Sequence, residues 1–143
     1  MTKKTTKPKL SPAEYRDILK RVNLQSIEME ACTMKIRREK LGSNMKADLQ
    51  HKTSYTIEKG SVAEVTCDYE IVATKTTKKE FAIKIQATYR VVLESEEDLS
   101  DDFMDIYTDL NLQMNTWPYF REFVQSMVQK AGLPPLTLPF LRN

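Results

Sequence analysis

The chain has 143 residues, 41% of them hydrophobic and 29% charged, with a formal net charge of +2. That size bounds one domain with a sizeable core, and no apolar run approaches the ~20 residues needed to cross a bilayer. Two cysteines 35 positions apart and a single histidine exclude a disulfide framework and a zinc cluster. Charge is unevenly placed: residues 1–95 carry 19 Lys/Arg against 12 Asp/Glu, and residues 96–143 carry 3 against 8. No basic stripe with interleaved aromatics or nucleic-acid motif accompanies the excess, so a nucleic-acid partner is not expected. Residues 1–9 are basic, lack a following apolar segment, and read as a disordered tail outside a single domain over 10–143. The location that follows by default is cytoplasmic.

The spacing predicts a helix over 10–22. Ser11 is the N-cap, Pro12 takes the first helical position, Glu14 closes a capping box, and Leu10 is placed to staple on Tyr15. Tyr15, Ile18, Leu19 and Val22 form its apolar stripe. From Leu24 to Arg38 the period becomes two. Ile27, Met29 and Ala31 share one face, but Met34 and Ile36 continue on the other phase. A bulge near Ala31–Thr33 would reconcile them.

After a loop at 39–44, Met45–Glu58 alternates throughout, with Met45, Ala47, Leu49, His51, Thr53, Tyr55 and Ile57 on the inward face. Lys59-Gly60 reads as a hairpin turn. Val62–Ala73 follows, with Val65, Cys67, Tyr69, Ile71 and Ala73 inward. A polar turn at 75–79 leads to a strand with Phe81, Ile83, Ile85, Ala87, Tyr89, Val91 and Leu93 inward. These are antiparallel strands with one polar and one apolar face, and the apolar face needs a covering layer. Both cysteines read as reduced and partly buried. His51 lies on the inward face; without a nucleophile or carboxylate pattern it reads as a hydrogen-bonded imidazole rather than a base or ligand.

Eight carboxylates and no base fall in residues 94–109. The pattern reads as an acidic helix start, with Ser100 as N-cap, rather than a metal site, because the EF-hand spacing is absent. Phe103, Ile106, Tyr107, Leu110 and Met114 are its expected buried stripe. Pro118 predicts a break near Asn115–Trp117. A second helix then places Trp117, Phe120, Phe123, Val124, Met127 and Ala131 on one face. Gly132 ends it in a left-handed stop, with Leu133 folding back on Val128. The remainder, LPPLTLPFLRN, is an extended apolar tail. No phosphate loop, GxGxxG or nucleophile elbow appears, and nothing argues for an enzyme or a cofactor.

The fold class is therefore α+β: a four-stranded antiparallel sheet with a short N-terminal helix and two C-terminal helices packed on it. This order resembles the SecB family of export chaperones. The residues that carry the resemblance are Trp117-Pro118-Tyr119-Phe120-Arg121-Glu122 and Gly132-Leu133-Pro134-Pro135-Leu136-Thr137-Leu138-Pro139. The first matches an aromatic-Pro-Tyr-x-Arg-Glu helix start; the second matches the apolar-Pro-x-Leu-x-Leu run after it. The resemblance implies a homotetramer, a dimer of dimers whose sheets sandwich the helices. It also implies ATP-independent holding of unfolded polypeptides, in export or in guarding an antitoxin. Seven Met and six Tyr suit an adaptable apolar surface.

The chain differs from the export chaperones in its basic balance, its end at Asn143 without an acidic tail, and IQATYRV in place of a glycine pair. Docking on the translocase motor SecA leans on that tail. The resemblance implies peptide contacts at Leu41, Met45, Tyr55, Trp117, Tyr119, Phe120, Leu138 and Phe140. It implies a subunit contact at Phe81, Ile83 and Ile85. The competing classes are a small-ligand binder, using a closed pocket with His51 or Tyr55, and a single-partner adaptor.

Overall fold

The computed structural model describes residues 10–75, 80–136 and 138. The N-terminal tail, most of the 75–79 turn, and Phe140 lie outside them. Helix α1 (Pro12–Leu19) is capped as its sequence demands: Ser11 Oγ accepts from the Glu14 amide at 3.1 Å, and the Glu14 carboxylate accepts from the Ser11 amide at 2.8 Å. Four strands follow: β1 (Val22–Ile36), β2 (Met45–Ile57), β3 (Val62–Lys75) and β4 (Phe81–Ser95). They form one antiparallel sheet in the order β1-β4-β3-β2. The β1–β2 connection therefore crosses from one sheet edge to the other. It contains a 3-10 turn at Arg38–Lys40, and the Arg38 guanidinium donates to the Ala131 carbonyl at 3.0 Å, tying the crossover to the helix layer.

Strand facing follows the register. Val65, Cys67, Tyr69, Ile71 and Ala73 of β3, with Ile83, Ile85, Ala87, Tyr89, Val91 and Leu93 of β4, are all buried on one face. The helix-side face of the central pair is thus fully covered, as an antiparallel sheet with one apolar face requires. The β1 bulge is between Met29 and Ala31, slightly earlier than expected, with another between Leu24 and Ser26. It puts Cys32, paired with Ala87, on the helix side and turns Ala31, paired with Thr88, outward. A further irregularity at Ala82 pairs Thr74 with Phe81 and Ala73 with Ile83. Phe81 therefore leaves the inward row and lies on the outer face.

Helix α2 (Asp101–Asp109) begins at Ser100, whose hydroxyl accepts from the Phe103 amide at 3.1 Å. Asp101 and Asp102 occupy its first turn, where the helix dipole favours anions. Helix α3 (Asn111–Lys130) is continuous and contains Pro118. The expected break at Asn115–Trp117 is instead at Leu110. The carbonyl that Pro118 cannot bond belongs to Met114, and both residues lie on the exposed side of α3, Met114 at 69%, where water can replace the missing donor. The displaced break also takes Leu110 and Met114 out of the buried stripe, and both are exposed.

The buried line of α3 runs Leu112, Thr116, Phe120, Val124 and Val128, four residues apart. Burying each of the apolar members is worth ~1.5–3 kcal/mol. Trp117, Phe123 and Met127 flank that line, half-buried. The helix ends in a double hydrogen bond: Gly132 (φ 74°) donates to the Gln129 carbonyl at 3.0 Å, and Leu133 donates to Val128 at 3.1 Å. This left-handed stop is the one that Gly132 predicts.

Candidate functional site

The helix layer is narrower than the sheet it covers. α3 seals β3 and β4 but leaves the helix-side faces of both edge strands partly open. Two apolar flanks result.

On the β2 flank, Met45, Ala47 and Leu49 are half-buried in an alternating row. Trp117 lies on the same side of α3, its ring 5.6 Å from Tyr69 and 5.9 Å from Phe120. Leu41 of the crossover and Leu133, Leu136 and Leu138 of the tail pack half-buried against the core. Among the described residues, 133–136 and 138 form no strand and add apolar surface, as Pro134 and Pro135 require.

On the β1 flank, the helix-side row is Leu24, Ile27, Met29, Cys32, Met34 and Ile36, read from its pairing with the buried row of β4. Leu24 and Met29 are each 41% exposed and Tyr119 is 52% exposed. Tyr119 meets the edge of Tyr89 at 6.4 Å, and Tyr89 is paired with Met29. Tyr89 is buried and its hydroxyl makes no hydrogen bond to any described group. Burial pushes that hydroxyl up to about 12, with negative charge near Cys32 and Glu122 adding to the effect. Cys32 is exposed, against the expectation of a partly buried thiol, because α3 stops short of β1. Cys67 is buried, and its thiol is shifted up by desolvation.

The expected peptide-contact residues consequently separate into different roles. Met45 lies on the β2 flank and Trp117 against Tyr69 beside it, while Leu41 and Leu138 pack half-buried against the core. Tyr119 lies on the opposite flank. Phe120 is fully buried, stacked 5.0 Å from Tyr69 at 16°, and supports Trp117 from below. Tyr55 is half-buried, and its hydroxyl donates to Asp101 at 2.8 Å and Asp105 at 3.2 Å, anchoring α2 to β2. Desolvation and those carboxylates raise its pKa. Phe81, Ile83 and Ile85 share no surface: the two isoleucines are in the core, and the bulge sends Phe81 to the other face. Sequence reasoning missed the β1 flank, because its exposure depends on how far α3 reaches across the sheet.

The closed pocket required by a small-ligand reading does not assemble around the residues it names. His51 is exposed, 6.0 Å from Tyr69, and Tyr55 is committed to α2. A depression of about 490 Å³ at the β2 edge, lined by Gln50, His51, Lys52, Asp68 and Glu70, is open and charged. Asp68 is engaged there by Thr88 at 2.7 Å and by Gln86. No group of His, Cys, Asp and Glu among the described residues could hold a metal ion. Nor is any helix among them long and apolar enough to cross a membrane.

The fold matches that of a solved SecB-like chaperone from Mycobacterium tuberculosis, determined in complex with a ChAD peptide from the HigA1 antitoxin. The TM-score is 0.75, over 90% of this chain and 97% of that one, at 17% identity. The chain thus has a SecB-like fold. A protein of unknown function from Streptococcus agalactiae overlaps 83% of this chain and 97% of its own at 13% identity, with a TM-score of 0.44. No family model matches the sequence, and no curated protein matches it.

Proposed function

We propose that the chain is an ATP-independent holdase that binds unfolded polypeptide and performs no chemistry. The observation that carries this reading is the β2 flank: an apolar row, Met45, Ala47 and Leu49, left half-open on the edge strand, with Trp117 against Tyr69 of the neighbouring strand. A soluble domain gains nothing in isolation from such a surface, which marks a binding site. The β2 edge also offers unpaired main-chain groups, so an extended client can add backbone hydrogen bonds while its side chains enter the apolar row. Met45, Leu41 and Leu138 are the adaptable contacts, and Trp117 is the rigid one.

The solved neighbour of the same fold holds an antitoxin peptide. On that likeness, guarding an antitoxin is the role we assign here. Service in protein export, with docking on the translocase motor SecA, is the alternative role for the same surface. A homotetramer, a dimer of dimers in the cytoplasm, belongs to the proposal. Its assembly surface is the exposed β1 flank with Leu24, Met29 and Tyr119, and the Phe81–Ile83–Ile85 set is not available for it.

The test is light scattering from a chemically denatured client on dilution, with and without the native oligomer and without nucleotide. Near-stoichiometric suppression for several unrelated clients is expected. No suppression of any client removes the holdase reading. Suppression of one client alone assigns a dedicated adaptor instead. Sedimentation gives the mass, and a stable monomer overturns the assembly.

A further inference from the structure

We infer that one end of the sheet's outer face is a docking site for a short acidic polypeptide segment. The bulge at Ala82 places Phe81 on that face. The Arg37 guanidinium carbon lies 4.1 Å from the centre of the Phe81 ring, and the Lys84 ammonium lies 4.6 Å from it. Lys35 stands directly opposite Lys84 in the β1–β4 register. Like charges placed directly opposite on one face destabilise a sheet.

Some cations of this chain are paired, while Lys46 and Lys52 on the outer side of β2 are not, among the described residues. Arg90 is held by Glu64 at 2.7 Å and by Glu28 at 3.3 Å, and Lys40 is bridged to Glu80. Among the described residues, Lys35, Arg37 and Lys84 have no carboxylate within salt-bridge reach. Lys35 and Arg37 are exposed. Arg37 and Lys84 thus meet on one ring with Lys35 directly opposite Lys84, and an anionic partner there relieves the repulsion.

The ring sets the geometry. A guanidinium stacked on an aromatic face keeps its planar fork free and oriented, which suits a carboxylate. Phe81 is therefore a positioning residue, and Arg37, Lys84 and Lys35 are the contacts. Alternate side chains of an extended peptide are about 7 Å apart, close to the spacing of diagonal neighbours on a sheet, the relation of Arg37 to Lys84. Two acidic residues separated by one can reach Lys84 and its neighbour together.

The surroundings select against a long polyanion. Asp48, Glu70, Asp68, Glu64 and Glu28 occupy the outer positions of the same sheet beyond the patch. A nucleic acid tracking across the face would meet those carboxylates, whereas a segment of a few residues would not. This site is separate from the apolar flank and does not depend on the holdase reading.

The test uses the native full chain and fluorescence anisotropy with three labelled probes: a peptide of alternating Glu and Ser, its Lys counterpart, and a single-stranded RNA of equal charge. The acidic peptide is expected to bind, with affinity falling as salt rises. Arg37→Glu with Lys84→Glu should weaken it about tenfold or more, and Phe81→Leu by a smaller factor, with client suppression unchanged. Arg37→Gln with Lys84→Gln repeats the test where charge reversal disturbs folding. Equal binding by both double variants overturns the site. So does preference for the RNA, loss of peptide binding in Met45→Glu instead, or salt-sensitive self-association that the variants abolish.

Discussion

The Tyr69 ring lies nearly flat on Phe120, their centres 5.0 Å apart, and the Tyr69 hydroxyl meets Thr116 Oγ1 at 2.8 Å. Thr116 in turn donates to the Leu112 carbonyl at 2.8 Å. One strand residue thus fixes a full turn of α3 by both stacking and hydrogen bonding. Trp117 sits against this pair, so the rigidity of the apolar flank is set from beneath. Phe120→Ala should lower the unfolding free energy by ~3–5 kcal/mol, measured by urea titration, and Phe120→Leu by under ~1.5 kcal/mol. A loss below 1 kcal/mol for the alanine variant would show that α3 does not pack as described.

Pro118 stands inside α3 with its missing donor facing an exposed turn. Pro118→Ala restores an N–H for the Met114 carbonyl without changing any buried contact. The expected gain is about 2 kcal/mol, after the lost chain stiffening of proline is subtracted from its ~3 kcal/mol helix penalty. Destabilisation on thermal melting would instead place the helix break at Pro118.

The proposed function gives the two flanks different tasks, so matched substitutions should separate them. Met45→Glu puts a charge into the client row and should raise the client dissociation constant about tenfold or more. Met29→Glu should leave client binding by the remaining folded species intact and lower the oligomer mass in sedimentation. Trp117 is the only tryptophan, so its emission should shift to the blue when a tryptophan-free client binds. An unchanged spectrum at saturation would exclude Trp117 from the contact.

Tyr15 and Tyr89 are each raised to about 12 by burial. Above pH ~10 the unfolded chain ionises these phenols before the folded chain does. The unfolded state then binds fewer protons, so stability is full below pH ~10 and falls as pH rises toward 12. Tyr89→Phe removes one of those contributions and deletes a buried hydroxyl without a partner among the described residues. It should be neutral or stabilising by ~1 kcal/mol at pH 7 and flatten the alkaline decline. A loss of more than 1 kcal/mol at neutral pH would mean that the hydroxyl has a bound partner.

Local chemistry made much of the fold readable. Ser11, Ser100 and Gly132 act within a few residues of themselves, and the alternation of β2 and β3 needs only a covered face. Other features depend on distant packing. Phe81 fits the inward row by spacing, and only the Ala82 bulge turns it out. Pro118 breaks a helix unless the carbonyl it strands is wet, which requires knowing where α3 rests. Met104 and Thr108 are buried although they lie off the expected α2 stripe, because α2 meets both α3 and the sheet. For the candidate site, the sequence supplies Met45 and Trp117 as neighbours in kind. Only the width of the helix layer shows that Tyr119 faces the other flank.

The crossing of β1 to the far edge sets an order on the making of the chain. Val22 pairs with Ser95 and Ile36 with Ile83, so the first strand leaves the ribosome long before its partner strand exists. Through that interval its row of Leu24, Ile27, Met29 and Met34 has no sheet to join, while β2, β3 and β4 can zip sequentially as neighbours. The nascent chain passes through a stage in which it is itself an unfolded polypeptide with an apolar strand on offer, the kind of object the proposed holdase surface would take.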